Sequence, residues 1–483
     1  MKKYISNILI ASCALVVASC SEDTMDSINK NVNDPTDVSS SLIITDVMTS
    51  SAFSVTGSDL AFYSSVYVEH NVGIYNQMYN AEIRSNEPQN STTYNNSWDA
   101  IYQNLLNLKT IIAKCSDGGT EEGNYHTLGI AQTLTAYNLA ILTDVMGDVP
   151  WTEALQPGVI FTPKLDKQED IYNDIFTLLN SATENFDKTT SYPALGSQDF
   201  LYAGNAASIA NWKKFANGLK ARYTMRLSLV APDYNAVISY ANQSFTSASE
   251  QCQFNYNGTT TKSPFQQFFL DRDYFGASQS FHNKLTERND PRDAVFFTPY
   301  SSSETELLFA PNGSPEQAQG KYAISAISSL TAPTYLMSYH EVEFLKAEAY
   351  ARSNDLTNAK TALKNAIIAA CAKENINISA TDAEEYYTDE VLPRLTDKIA
   401  TIKEIMVQKY IAFYEEESIE AYNDIRRLKA MGEDYISLSN PLKFPLRYTY
   451  GSEDVTTNVN VREAYGDGTY VYTENVWWAG GSR

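Results

Sequence analysis

Residues 338–371 read SYHEVEFLKAEAYARSNDLTNAKTALKNAIIAAC, and the fold is decided here. Val342, Leu345 and Ala349 recur at three- and four-residue steps, and so do Ala359, Leu363 and Ile367. That period places each set on one face of a helix. The polar RSND between them breaks the pattern where a turn is needed. Alanines are frequent on both sides, so the two helices can approach closely. The stretch predicts a helix pair of the tetratricopeptide type.

The same periodicity recurs along the chain. Trp98, Ile101, Leu105, Leu108 and Ile112 form one stripe, followed by Leu128, Ala131, Leu134, Tyr137, Ile141 and Val145. Ile171, Ile175, Leu178, Ala182 and Phe186 form another, followed by a helical stretch over about residues 207–229. Leu395, Ile399, Ile402, Met406 and Phe413 precede IEAYNDIRRLKAM. Four pairs result, but the repeat length is not constant. Insertions near residues 55–96, 188–205, 247–334 and 436–483 are rich in Tyr, Asn, Ser, Gly and Pro. They read as long irregular loops with short strands, such as FPLRYTY at 444–450 and GTYVYT at 468–473. The expected fold is mostly α: tetratricopeptide-like helix pairs as a scaffold, in one domain over residues 42–483.

The N-terminus gives an address. Lys2 and Lys3 precede a mainly apolar run over residues 5–17, which ends at Ala18, Ser19 and Cys20. This is the layout of a secretory signal, and the run is short of the roughly 20 apolar residues that span a bilayer. The stretch VASC resembles a bacterial lipobox, with Val17 where leucine is more usual. Residues 1–19 are then a lipoprotein signal peptide, Cys20 carries the lipid, and residues 20–41 are a polar, flexible tether. Acyl chains would hold the chain to a membrane, each buried methylene contributing about 0.8 kcal/mol.

A formal charge of −22 repels nucleic acid and anionic headgroups and disfavours phosphate-rich substrates. It is compatible with neutral ligands such as sugars. Cys115, Cys252 and Cys371 remain once Cys13 and Cys20 are set aside, with no CxxC spacing, so they read as buried free thiols. The 33 tyrosines, 20 phenylalanines and 5 tryptophans suit helix packing and sugar stacking equally.

No catalytic constellation emerges, and the chain reads as a non-enzyme. His340-Glu341 opens a zinc-protease-like helix, but Phe344 stands where its second histidine belongs. There is no G-x-S-x-G elbow. GDGTYV lacks the third Rossmann glycine, and GSPEQAQGK has the wrong spacing for a phosphate loop. Glycosidases need two carboxylates at a fixed separation. The densest cluster, Glu415 to Glu420 in YEEESIE, reads instead as a solvated helix face or as partners of Arg426 and Arg427. No cofactor or metal ligand set is expected; Asp271 and Asp273 in DRDYFG are the candidates for a structural calcium, without a full acidic loop.

Five stretches together resemble the SusD/RagB family, more narrowly its SusD-like nutrient-binding lipoproteins. They are YNLAILTDVMGDVPWTEAL at 137–155, ERNDPRDAVFF at 287–297, EVEFLKAEAYAR at 341–352, IMVQKYIAFYEEESIEAYNDIRRLKAM at 405–431, and NPLKFPLRYTYGSEDVTTNVN at 440–460 leading to WWAGG. In the first, Gly147 can take the left-handed conformation that closes a helix, and Pro150 stops its continuation. Each motif alone is unspecific; their order and spacing behind a lipobox carry the resemblance. Glu417-Ser418 departs from the glycine and arginine often found there, which is similar to a divergent branch.

The resemblance implies four tetratricopeptide-like pairs and attachment to the outer face of the outer membrane. It also implies a SusC-like TonB-dependent transporter as partner, and capture of oligosaccharides, or sometimes peptides, without chemistry on them. Ser21, Glu22 and Asp23 behind Cys20 resemble the surface-export signal of such bacteria. Two other classes stay open: a surface glycan hydrolase, and a peptide-binding or adhesive helical-repeat lipoprotein. For the ligand, GIYNQMYNAEIRSNEP offers Tyr75, Asn76, Tyr79 and Arg84 in one segment, with Gln77 and Asn80 between them. Trp98, Trp477 and Trp478 are further candidates; Trp98 also fits a core position, and one of the last two is expected to pack inward.

Overall fold

The computed structural model describes residues 37–202, 205, 207–303 and 305–483; the signal segment, Cys20 and most of the tether lie outside them. The structure is 56% helix and 5% strand. Three short helices lead in: α1 (Ser40–Ser50), α2 (Asp59–Tyr67) and α3 (Asn76–Glu82). The first long pair is α4 (Asn95–Cys115) with α5 (Tyr125–Met146), and the second is α6 (Gln168–Phe186) with α7 (Ser208–Arg226). α8 (Tyr234–Asn242) packs against α7 on one side. The insertion that follows carries α9 (Pro264–Arg272), α10 (Gln279–Thr286) and α11 (Asp293–Phe296). Then come α12 (Tyr339–Arg352), α13 (Leu356–Cys371), α14 (Ala380–Tyr386), α15 (Lys398–Ala412), α16 (Ser418–Ala430), α17 (Ser452–Thr457) and α18 (Val459–Tyr465).

Local chemistry explains the α12–α13 pair. Ser338 caps α12 by accepting the Glu341 N–H at 3.2 Å, while the Glu341 carboxylate turns to Arg222. Asn354 takes φ 67°, where a short polar side chain is tolerated. Asp355 then caps α13 through the Asn358 N–H at 3.1 Å. Ala347, Ala349, Ala351, Ala359, Ala362, Ala366 and Ala370 are all buried, so the alanines do form the seam. The helices stack onward from α4 through α5, α6, α7, α8 and α12 to α13. The fourth pair opens out: α15 packs on α12 and α13, whereas α16 packs chiefly on α2.

Buried ion pairs tie these layers together. Arg222 of α7 meets Glu341 of α12 at 2.5 Å, and Arg226 meets Asp144 of α5 at 3.3 Å and also bonds Glu420 of α16. Arg427 of α16 reaches Glu348 of α12 at 2.7 Å, and Asp424 holds Lys409 of α15 at 2.7 Å. The Glu415–Glu420 cluster is therefore not a solvated face. Each carboxylate has its own interior partner: Glu415 takes Asn71 and Ser325, Glu416 takes Lys373, Glu417 takes His340, and Glu420 takes Arg226. Arg426 and Arg427 turn elsewhere, because successive residues at a helix corner point into different layers. Glu417 and Ser418, the departure from the commoner motif, close this network: Ser338 donates to Glu417 at 2.8 Å, and Ser418 donates to the Glu415 carbonyl at 2.9 Å.

The strands are short: β1 (Asn71–Gly73), β2 (Val149–Pro150), β3 (Leu165–Asp166), β4 (Cys252–Phe254), β5 (Phe275–Ala277), β6 (Phe297–Thr298), β7 (Ile324–Ser325) and β8 (Thr334–Met337). They pair antiparallel as β1–β5, β2–β3, β4–β8 and β6–β7. The two strands expected at 444–450 and 468–473 do not form. The Tyr448 N–H donates to the Val145 carbonyl at the end of α5, so it is unavailable to a ladder, and Thr469–Tyr472 is a 3-10 turn. Gly147 does end α5 with positive φ, but at φ 80°, ψ −132°, outside the left-handed helical region and open in practice to glycine alone. A Cβ there would lie 2.5 Å from the Arg447 guanidinium. The insertions are also less irregular than the sequence implies, since 55–96 holds α2 and α3, and 247–334 holds α9 to α11.

Candidate functional site

Tyrosine is abundant, but it is mostly interior. Tyr67, Tyr94, Tyr137, Tyr172, Tyr223 and Tyr448 are fully buried, and Tyr94 stacks on Tyr448 at 4.2 Å. Among the described residues, two tyrosines are exposed by more than a third, Tyr75 at 38% and Tyr300 at 39%. Both pack against one turn, Tyr75 on the buried Tyr274 and Tyr300 on Asp273.

The β1–β5 pair builds the surface at this turn. Its register sets Gly73 opposite Phe275, and the Ile74 N–H continues to the Tyr274 carbonyl at 2.9 Å. Tyr75 therefore emerges beside Tyr274, ring centroids 5.7 Å apart. Two glycines permit this approach. A Cβ on Gly73 would meet the Met78 carbonyl at 1.8 Å, and one on Gly276 would lie 3.0 Å from Tyr322 and 3.1 Å from Ile74. Asn76, at φ 46°, turns the chain into α3 and donates its amide to the Tyr274 hydroxyl at 3.0 Å. Asp273, at φ 51°, ends α9 and accepts the Tyr300 hydroxyl at 2.9 Å. Burial raises the Asp273 carboxyl, and the Tyr300 hydrogen bond pulls it back. Gln319 donates to the Arg272 carbonyl at 2.7 Å, which holds the segment around residue 319 against the end of α9.

A cleft of about 380 Å³ adjoins this surface, lined by Phe269 of α9, Phe275 and Gly276 of β5, Thr298 and Ile324. Its floor is Glu415, which accepts Asn71 Nδ2 at 3.2 Å and Ser325 Oγ at 2.7 Å. Burial pushes the Glu415 carboxyl up to about 7, against the pull of those two donors. Glu415 is the single carboxylate lining the cleft, whereas glycoside hydrolysis uses two.

The sequence candidates divide. Tyr75 and Asn76 come together on this surface. Tyr79 is half-buried beside them. Arg84 is a structural clamp: its guanidinium covers the Tyr67 ring at 4.9 Å and donates to the Ala81 carbonyl at 2.5 Å and the Lys443 carbonyl at 3.2 Å. Trp98 is buried, donates to Asp454 at 2.7 Å and packs against Gly451, where a Cβ would lie 2.5 Å from its ring. Trp478 is fully buried between the Arg226 and Arg426 guanidiniums, 5.5 and 4.7 Å from its ring. Trp477 is half-buried, 6.2 Å from Tyr172. Neither Trp98 nor Trp478 offers a face to a ligand, because each ring fills a layer between elements.

Tyr274 and Tyr300 escaped sequence reasoning, and Asp273 was singled out only as a calcium candidate. DRDYFG was read for its acids alone, and no local pattern connects residue 75 with residues 274 and 300. Of the two calcium candidates, Asp271 accepts Gln267 at 2.8 Å and Asp273 accepts Tyr300. Among the described residues, no three His, Cys, Asp or Glu side chains are placed to hold a metal.

Residues 32–451 match the SusD-like family described as "Starch-binding associating with outer membrane". The chain belongs to the SusD/RagB family. A crystal structure of a SusD/RagB family protein from Bacteroides thetaiotaomicron is 43% identical, covers 92% of this chain and 100% of its own, and superposes with TM-score 0.87. A chitin-binding SusD homologue from Flavobacterium johnsoniae, 17% identical over 91% of this chain and 98% of its own, shares the fold at TM-score 0.72. A further chitin-binding protein, 22% identical over 91% of this chain and 99% of its own, also superposes at TM-score 0.72. No curated protein sequence matches. SusD-like proteins are a nutrient- and glycan-binding, outer-membrane-associated family. They are binding proteins rather than typical enzymes. No helix among the described residues is long and apolar enough to cross a membrane.

Proposed function

We propose that this SusD/RagB protein is a surface lipoprotein, anchored through Cys20, that binds an oligosaccharide on the Tyr75–Tyr274–Tyr300 surface. It then delivers the ligand to a SusC-like TonB-dependent transporter and does no chemistry on it. One observation carries the ligand reading. Among the described tyrosines, the two that are exposed flank the same Asp273-Tyr274 turn. Flat rings beside amide and carboxylate groups suit the apolar faces and hydroxyls of sugars. The chitin-binding relatives and the acidic charge of −22, which disfavours anionic ligands, support a neutral glycan.

The test is a glycan and peptide binding screen on protein lacking residues 1–20, with product analysis. Tyr75→Ala and Tyr300→Ala should each weaken glycan binding about tenfold, or about 1.4 kcal/mol, with thermal unfolding unchanged. Unchanged affinity in both variants would remove this surface from the mechanism. Released product would restore the hydrolase alternative, and binding of peptides alone would restore the peptide one. Co-purification of an outer membrane transporter with the tagged full chain tests the partner. Loss of acyl labelling in Cys20→Ala tests the anchor, and cleavage by protease added to intact cells tests the outward-facing position.

A further inference from the structure

A second cleft, of about 540 Å³, lies where β4 meets the α12–α13 pair. It shares no lining residue with the cleft beside Tyr274. Its volume is in the range of small-molecule sites, about 300–1,000 Å³.

The residues around β4 read QCQFNY over 251–256, and burial alternates strictly: Cys252, Phe254 and Tyr256 are buried, while Gln251, Gln253 and Asn255 are not. The two-residue period of a strand sends the first set to the core and the amides to the cleft. There they form a directed row. Gln251 Nε2 donates to Gln253 Oε1 at 2.6 Å, and Gln253 Nε2 donates to Asn255 Oδ1 at 2.6 Å. Among the described residues, the Asn255 amide nitrogen at the end of the row has no acceptor. The opposite wall is complementary. Asn365 Nδ2 donates inward to Glu343 at 3.2 Å, and Asn375 Nδ2 donates to Glu416 at 2.7 Å and to the Ile327 carbonyl at 3.1 Å. Both side-chain carbonyls are thus left as acceptors.

Two titratable pairs lie behind the cleft, and the exposed Glu374 carboxylate also lines it, with no ion pair among the described residues. Lys373 meets Glu416, and His340 meets Glu417, each at 2.6 Å. Tyr335 and Tyr339 add aromatic surface. A wall of amide donors facing a wall of amide acceptors, with the Glu374 carboxylate as a further acceptor, matches groups that both donate and accept. Hydroxyls do this; phosphates, carboxylates and ammonium groups do not. We infer that this cleft is a second ligand site, for a neutral polyhydroxylated chain such as an oligosaccharide segment. It stands back to back with the first across the Glu415–Glu417 corner. The inference is independent of the Tyr75 surface being a ligand site.

The experiment uses protein lacking residues 1–20 and neutral gluco- and chito-oligosaccharides as probes, read by calorimetry and by hydrogen exchange. Binding should protect amides in residues 246–255 and 365–375. Gln253→Ala with Asn255→Ala, both on the solvent side of β4, should remove one binding event or weaken it at least about tenfold. Unfolding temperature should stay unchanged. Residual binding in a Tyr75→Ala, Tyr300→Ala protein should vanish when the two changes are combined with these. Protection confined to residues 70–85 and 268–322, or unaltered binding in the β4 double variant, overturns the inference alone. Loss of all binding in the β4 variant, with none in the tyrosine variant, supports it and sinks the Tyr75 reading instead. No glycan binding by the parent protein, or cleft protection by peptides alone, overturns it as well.

Discussion

Replacing Glu82 by glutamine probes how the candidate surface is held to the scaffold. Glu82 is fully buried in α3. Its Oε1 accepts the Gly313 N–H at 2.5 Å and Asn440 Nδ2 at 3.1 Å, and its Oε2 faces the Gly73 N–H at 3.5 Å. One carboxyl thus joins β1, the loop at 313 and the C-terminal segment at 440. Burial pushes its pKa up to about 7 from 4.5; Arg84 and the two backbone N–H groups pull the other way, and Glu69 adds to the rise. A raised acid pKa means that the folded state holds its proton longer than the unfolded chain. Stability is therefore full below about pH 4.5 and falls as pH rises through about 7. The shift corresponds to about 3 kcal/mol in all, of which about 2 kcal/mol is lost between about pH 5.5 and pH 8.5. Glutamine cannot ionise and keeps the Oε1 acceptor. Urea unfolding of both proteins across that window should show the difference moving by about 2 kcal/mol in favour of Glu82→Gln as pH rises. Glu415 shifts in the same direction but is common to both proteins and cancels. A difference that is flat with pH, or that moves in favour of the parent, would refute the reasoning, because Glu82 would then ionise as an ordinary carboxylate.

Trp478→Ala empties a fully buried site between two guanidiniums and should cost about 3–5 kcal/mol in chemical denaturation. Arg292→Met leaves the buried Asp290 carboxyl without its partner at 2.6 Å, so a loss of about 3–5 kcal/mol is expected from the same assay. Cys115, Cys252 and Cys371 are buried with thiols raised by burial, Cys371 to about 11. A thiol reagent added to protein lacking residues 1–20 should therefore label none of them at neutral pH until urea unfolds the chain; rapid labelling of the native protein would contradict this packing.

The family motifs acquire physical roles in the structure. Asp290-Pro291-Arg292 is a buried clamp in which Asp290 holds Arg292 and accepts Tyr386 at 2.9 Å, while Arg292 reaches Gln408 of α15 at 2.7 Å. Asp424 to Arg427 is the corner where α16 locks to α12 and α15. WWAGG places Trp478 under the same corner. In this chain these stretches join layers, and they say little about ligand.

The helices were legible in the sequence because their signal is local. A stripe at three- and four-residue steps, a capping serine and an Asn-Asp turn all lie within one or two turns of the residues they govern. For the same reason Gly147 was legible as a helix stop. The fourth pair was legible as two helices but not as an open pair, since nothing within 398–430 specifies that α16 turns to α2. The exposed aromatics were the least legible part. Periodicity cannot tell a tyrosine that fills a layer from one that faces solvent in an irregular segment. Trp98 and Trp478 thus stay candidates beside Tyr75 in the sequence, although a core position already suits Trp98 and one of Trp477 and Trp478, and Tyr300 gives no signal. Short-range pattern in the sequence alone determined a scaffold of helix pairs. Only the tertiary structure, by pairing β1 with β5 across two hundred residues and burying more than half of the described tyrosines, decided which two rings are exposed beside one turn.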